Sequence, residues 1–165
     1  MNIEKLKILK SLINEELELY TELDTFFEEK RKILISNSTE ELLAIDDKIL
    51  NTVASIKSAV NHRQQITFKC GYRSLNMSQI IELAKNIDAD ITEDFKITQK
   101  EINELINEIA KKERIIKELI RHGMNMVNKT LGLISNATTL TGDYNNRGKS
   151  TQGEINRISS VVEEV

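Results

Sequence analysis

The chain has 165 residues, of which 39% are hydrophobic and 30% charged, which is enough apolar material for one domain or an elongated bundle. Proline is absent and aromatic residues make up only 4%, which excludes a typical sheet protein and predicts an all-α fold. The formal net charge of -3, without a basic stripe, argues against a nucleic-acid-binding protein.

The first predicted helix covers about residues 2–35. Apolar side chains recur every seventh residue in two adjacent columns, a pattern typical of a helix that packs against other helices. The columns consist of Leu6, Ile13, Tyr20, Phe27 and Leu34, and of Leu12, Leu19, Phe26 and Ile33. The short break at Ser36-Asn37-Ser38 predicts that the next helix runs antiparallel to the first.

The second predicted helix covers about residues 39–69. Ser38 and Glu41 have capping-box spacing at its start, and Cys70-Gly71 is a typical helix end. Apolar residues at intervals of three and four predict its buried face. These residues are Leu42, Ile45, Ile49, Val53, Ile56 and Val60.

A short third helix and a long fourth helix follow. Asn76 and Gln79 have the spacing of a cap at the start of a helix over about residues 77–86. The fourth helix covers about residues 91–141 and carries an apolar seam that only Lys112 interrupts. The seam consists of Phe95, Ile102, Leu105, Ile109, Ile116, Leu119, Met126, Leu133 and Leu140.

These elements predict an elongated antiparallel helical bundle or coiled coil of three long helices and one short helix. The helical domain is expected to cover residues 1–142, and residues 143–165 are expected to form a flexible C-terminal tail. A short apolar pattern from Ile155 to Val162 is too brief to hold a helix without a partner.

The fourth helix is predicted to be longer than the helices it packs against. At 1.5 Å per residue it measures roughly 75 Å, against about 45 to 50 Å for the first two helices. Residues 121–141 are therefore expected to have no partner within the chain. Arg121 and Lys129 are the only formally charged residues there, and Gly123 and Gly132 each weaken the helix by about 1 kcal/mol relative to alanine.

The apolar residues of this last segment are the candidate protein-binding site, because methionine and aliphatic side chains suit a groove for partner helices. They are Met124, Met126, Val127, Leu131, Leu133, Ile134 and Leu140. An alternative interpretation makes the same residues ordinary core of a longer bundle.

No catalytic or metal site is predicted. His62 and His122 lack further ligands at metal-binding spacing, and Cys70 lacks a neighbouring base. We therefore expect neither enzymatic activity nor a cofactor. A single cysteine, the absence of a signal peptide and the absence of a membrane-spanning segment favour a soluble cytoplasmic protein.

Residues 1–149 resemble the FlgN family of flagellar export chaperones, which are small acidic all-α proteins. Three features carry the resemblance: the first helix ending in Lys30-Arg31-Lys32, the Leu42–Val60 helix ending near His62-Arg63, and the segment after the long helix. That segment reads Leu140-Thr141-Gly142-Asp143-Tyr144-Asn145-Asn146-Arg147-Gly148, and its tyrosine followed by glycine four residues later is similar to the family's C-terminal signature.

The resemblance implies that the chain binds hook-filament junction proteins, namely hook-associated proteins 1 and 3, through its C-terminal region. It also implies delivery of these proteins to the cytoplasmic domain of the flagellar export gate, with Tyr144 and Gly148 as gate contacts and the export ATPase complex as a further partner. The alternative function is a homodimeric coiled-coil adaptor or spacer, in which the same apolar residues would serve self-association.

Overall fold

The structure is a computed structural model that describes residues 2–36, 38–73 and 75–141, without the side chains of residues 136–141. Within these residues the chain forms four helices and no strand, which confirms the all-α prediction of three long helices and a short one. The helices are α1 (Ile3–Ser36), α2 (Thr39–Lys69), α3 (Met77–Lys85) and α4 (Ala89–Thr141). The predicted domain boundary after residue 142 and the predicted tail lie outside the described residues.

The chain divides into two compact units, Met1–Ile120 and Arg121–Val165, and α4 contributes to both. In the first unit α1 and α2 are antiparallel, because the side chains that pair across them run in opposite order. Glu16 pairs with Arg63, whereas Lys30, further along α1, pairs with the earlier residue Asp46 at 2.6 Å between Nζ and Oδ1. The antiparallel packing predicted from the short link is therefore confirmed.

The main core of the first unit lies where α3 packs against the start of α1 and the start of α4. Phe95 is 1% exposed at its centre, and burial of such a side chain contributes about 1.5 to 3 kcal/mol to folding. The other members of this core are Leu6, Leu9, Ile13, Ile80, Ile81, Ala84 and Ile91. The short third helix thus closes one end of the first unit.

The ends of the shorter helices follow their local sequence. Gly71 has φ of 87° at the end of α2, and the amide of Tyr72 donates to the carbonyl of Thr67, which is the Schellman arrangement. At the start of α3, Asn76 and Gln79 form both hydrogen bonds of the predicted capping box. Ser38 precedes α2 but makes no side-chain capping bond, so that predicted box is wrong.

The fourth helix begins two residues earlier than predicted. The Asp88 carboxylate accepts a hydrogen bond of 2.9 Å from the amide of Ile91, so Asp88 satisfies an amide of the first turn. The seam of α4 is buried or half-buried from Phe95 to Ile116. Lys112 fits into it because its ammonium group lies 2.6 Å from the Asp24 carboxylate of α1.

One position of the predicted core of α2 is wrong. Val53 is 46% exposed, and Thr52 is buried in its place. The Thr52 hydroxyl donates to a carboxylate oxygen of Glu22 on α1 at 3.5 Å, so the polar group is satisfied when it is buried. The buried face of α2 therefore keeps a regular spacing through Ile49, Thr52 and Ile56.

A buried ion pair joins α1 to α2. The Arg63 guanidinium donates to both carboxylate oxygens of Glu16, at 2.5 and 3.3 Å, and Glu16 is 4% exposed. Tyr20 lies near this pair, and its pKa is raised by burial and by the Glu16 carboxylate, while Arg63 lowers it. The antiparallel pair therefore has a charged contact that is shielded from water.

Candidate functional site

The second unit presents large apolar side chains on the surface of α4. Six of the seven residues predicted as a protein-binding site have described side chains, and each is between 55% and 71% exposed. We name these six the apolar face: Met124, Met126, Val127, Leu131, Leu133 and Ile134. An exposed cluster of this kind is typical of an interaction surface.

Helical geometry places the six residues on one side of α4. Met124, Val127, Leu131 and Ile134 follow one another at intervals of three and four residues, and Met126 and Leu133 stand one heptad apart beside them. At 100° per residue the two columns cover an arc of roughly 180°. This width is suited to a partner helix with a broad apolar stripe.

The middle of the apolar face holds small side chains. Gly123 and Thr130 lie between the two columns, and the Thr130 hydroxyl donates to the carbonyl of Met126 at 3.0 Å. That bond satisfies the hydroxyl within its own helix and leaves the methyl group as the outer part of the side chain. Gly123 and Thr130 are not among the predicted contact residues. The seven-residue repeat of the α4 seam nevertheless continues from Ile116 to both positions.

The opposite side of the same segment is polar. Asn125, Asn128 and Lys129 project there and are exposed. The sequence from Arg121 to Thr141 contains no acidic residue. A partner helix with carboxylates beside its apolar stripe would therefore meet no like charge on this segment.

The structure does not favour the alternative in which these residues are bundle core. The α4 side chains change from 3% exposed at Ile116 to 38% at Leu119 and 60% at Met126. All described side chains from Arg121 to Ser135 are exposed. Within the described part of the chain, the apolar face is a surface and not an interior.

Three predicted site residues cannot be placed on this surface. Leu140 belongs to α4, but its side chain lies outside the described residues. Tyr144 and Gly148, the predicted export-gate contacts, also lie outside the described residues. Their roles remain predictions.

The histidines and the cysteine are the side chains that could suggest another function. His62 and His122 are exposed and Cys70 is a half-buried free thiol. Among residues 2–36, 38–73 and 75–141, no three metal-binding side chains come together. Across the same residues, no helix is sufficiently long and apolar to span a bilayer.

Comparison with known proteins relates the chain to a protein family. The sequence model of a family described as FlgN protein matches residues 1–152. Searches of curated proteins and of solved structures found no match. The matched range includes all four helices and the apolar face.

Proposed function

The chain belongs to the FlgN family of flagellar export chaperones, and from that premise we propose that it binds the C-terminal helices of hook-filament junction proteins in the cytoplasm. The proposed substrates are hook-associated proteins 1 and 3. The observation that supports this proposal is the apolar face of α4, with six exposed side chains on one side of a helical segment, residues 121–141, that lacks acidic residues.

The proposed mechanism is temporary burial. A helix that packs against others in a filament has an apolar stripe. Before export this stripe is exposed in the cytoplasm, where it promotes aggregation or early assembly. The apolar face of α4 would cover the stripe by helix-to-helix packing, with Met124 and Met126 adapting to different substrate side chains. The chaperone would thereby keep each junction protein competent for export.

Delivery requires a second contact. We assign it to Tyr144 and Gly148, which lie between the apolar face and the end of the chain and would bind the cytoplasmic domain of the export gate. The export ATPase complex is a further proposed partner. Separate contacts for substrate and gate would allow both to be held at once.

Titration calorimetry with the C-terminal helical segment of each hook-associated protein tests the proposal. We expect the full chain to bind one segment per chain, and a truncation ending at Arg121 to give no binding heat, because it lacks the apolar face. Circular dichroism should show that the truncated chain remains helical. Failure of the full chain to bind either segment would contradict the proposed function.

Sedimentation distinguishes the chaperone from the coiled-coil adaptor. A monomer that becomes a one-to-one heterodimer with the junction-protein segment supports the chaperone. A homodimer that persists at high salt and dissociates only when the apolar face is altered would support self-association instead.

The two glycines of this segment should make release faster. A Cβ added at Gly123 or Gly132 meets no atom within 4 Å, so alanine fits at both positions and stabilises the helix by about 1 kcal/mol. If binding requires an ordered helix, Gly132→Ala, on the polar side, should slow substrate dissociation about fivefold. Stopped-flow displacement measures this rate, and an unchanged rate would show that helix ordering does not limit release.

Gly123→Ala serves as a comparison because Gly123 lies within the apolar face. It changes helix propensity by the same amount but adds a methyl group where the substrate is proposed to pack. A substrate dissociation rate equal to that of Gly132→Ala would indicate that helix propensity alone explains the effect. Faster dissociation than in the Gly132 variant indicates that the substrate backbone approaches closely at Gly123.

A further inference from the structure

The outer side of α2 carries a second exposed surface in the first unit. Its residues stand at intervals of three and four, so they form one stripe along the helix, turned roughly 120° from the buried face. The members of this outer stripe are Leu50, Val53, Lys57, Asn61, Gln64 and Phe68, and all six are exposed. From Leu50 to Phe68 the stripe is about 27 Å long.

Phe68 marks the end of the outer stripe. It is 67% exposed, an unusual position for a phenylalanine in a chain with few aromatic residues. Beside it lies an open surface cavity of about 580 Å³. The cavity is lined by Asn61, Gln64, Gln65, Phe68, Lys69 and Arg73, without an acidic side chain.

The stretch of sequence that forms the outer stripe carries charges of one sign, and Glu15 of α1 lines a separate pocket beside Asn61. Between Asp47 and Glu82 the sequence contains no acidic residue, although the whole chain has more acidic than basic residues. Two of the cations in this stretch serve the fold, because Arg63 pairs with Glu16 and Lys48 lies over the ring of Phe26.

The other three cations of the stretch are Lys57, Lys69 and Arg73. They form no ion pair within the described residues, whereas Arg63 and nine basic residues outside the stretch do. Lys69 also stabilises the end of α2 by its charge. That explanation does not extend to Lys57 in the middle of the helix or to Arg73 beyond its end.

We propose that the outer stripe and its cavity bind an acidic amphipathic helix of a partner protein. An apolar side chain of that helix would occupy the cavity beside Phe68, and its carboxylates would face Lys57, Lys69 and Arg73. The cations favour an acidic partner because opposite charges attract. The apolar side chains at both ends of the stripe favour a helix whose own apolar residues have the same spacing. This surface is on a different helix from the proposed substrate site.

A protein partner fits this surface better than a nucleic acid. Tight binding of nucleic acid uses many phosphate contacts, whereas the outer stripe and its cavity together offer three cations that form no ion pair within the described residues. The net charge of -3 would also oppose binding of a long polyanion. Leu50, Val53 and Phe68 would contribute little to phosphate contacts but much to a helix interface.

Selection from a displayed library of random peptides of about 20 residues tests the proposal on the full chain. The library is first depleted on the variant K57E/K69E/R73E, which removes peptides that bind elsewhere, and is then selected on the unaltered chain. We expect surviving peptides that are enriched in Asp and Glu and carry apolar residues at helical spacing. No survivors, or survivors without acidic enrichment, would overturn the proposal.

A selected peptide is then measured by fluorescence anisotropy. We expect binding to weaken at least about tenfold in K57E/K69E/R73E and in Phe68→Ser, and to weaken as salt is raised. The matched control is K7E/K32E/R114E, which changes the net charge equally at exposed cations away from the stripe and should bind as the unaltered chain does. Equal loss in the control would overturn the proposal.

An RNA oligonucleotide and vesicles with anionic lipid are measured beside the peptide. Binding of either one more tightly than the peptide, with loss in K57E/K69E/R73E, would replace the acidic helix by that partner. Thermal unfolding of each variant shows that it is folded, which is expected because every substituted side chain is exposed or only partly buried.

Discussion

Replacing Met126 and Leu133 together by glutamate is expected to weaken binding of the junction-protein helix by about a hundredfold or more. Burial of each side chain in an interface contributes about 1.5 to 3 kcal/mol, and a carboxylate placed in the same contact adds a desolvation cost. Because 1.4 kcal/mol corresponds to a factor of ten, loss of the two contacts alone reaches two orders of magnitude. Titration calorimetry with the hook-associated protein segments measures the effect.

Stability should be unaffected by the same change. Met126 is 60% exposed and Leu133 is 71% exposed, so neither contributes a buried contact in the free chain. The control is N125E/N128E, which introduces two glutamates on the polar side of the same helix. Equal loss of binding in both double variants would indicate a charge effect, and no loss in either would exclude the apolar face as the substrate site.

The sequence predicts the part of the fold that depends on local periodicity. Heptad spacing identified the buried seam of α4 as far as Ile116, because a residue's place on a helix follows from its number alone. Beyond Ile116 the same spacing continues, but the side chains are exposed. Periodicity specifies which face is apolar, whereas burial depends on whether another element covers that face.

Contacts between helices limit what local sequence can predict. Spacing at three and four residues predicts Val53 in the core of α2, yet Thr52 is buried there, and Glu22 on another helix accepts its hydroxyl hydrogen bond. Lys112 interrupts an apolar seam for a similar reason, since Asp24 of α1 lies opposite. In both cases the partner is distant in sequence, and its position depends on the register of the packed helices.

The candidate surfaces differ in how far they could be predicted. The apolar face of α4 has a sequence signal. It lies in an apolar segment without acidic residues, at the end of a predicted helix that is longer than the helices beside it. The outer stripe of α2 also has a sequence signal, which is the stretch without acidic residues between Asp47 and Glu82. The net charge of the whole chain does not reveal this stretch. Tracing charge along the chain, instead of summing it, would have identified the stretch.

The second large effect is expected from Arg63→Met, which should lower the free energy of unfolding by about 3 to 5 kcal/mol. The substitution keeps much of the apolar stem of the side chain but removes the guanidinium from Glu16, which is 4% exposed. A carboxylate that is buried without its cation still has the cost of desolvation, but it no longer has the attraction and hydrogen bonds of the guanidinium that offset this cost. Unfolding in urea, followed by circular dichroism, measures the change.

Arg31→Met is the matched control because it breaks another arginine–glutamate pair of α1. Arg31 pairs with Glu28 one helical turn away on the same helix, where both side chains remain accessible to water. Exposed pairs contribute little, so its unfolding midpoint should be almost unchanged. A similar loss in both variants would show that burial of the Glu16–Arg63 pair is not the cause.

The double variant E16M/R63M separates stability from register. With both charges removed and apolar side chains in their place, the cost of the single variant should disappear, and the chain should regain its original stability or exceed it. The pair would then serve chiefly to select one register of α1 against α2, because any shift along the helices would leave Glu16 buried without Arg63. Under that hypothesis the double variant is stable but less uniquely packed, and broadened amide NMR signals along both helices would reveal this. Sharp signals identical to those of the unaltered chain would assign the register to the apolar contacts alone.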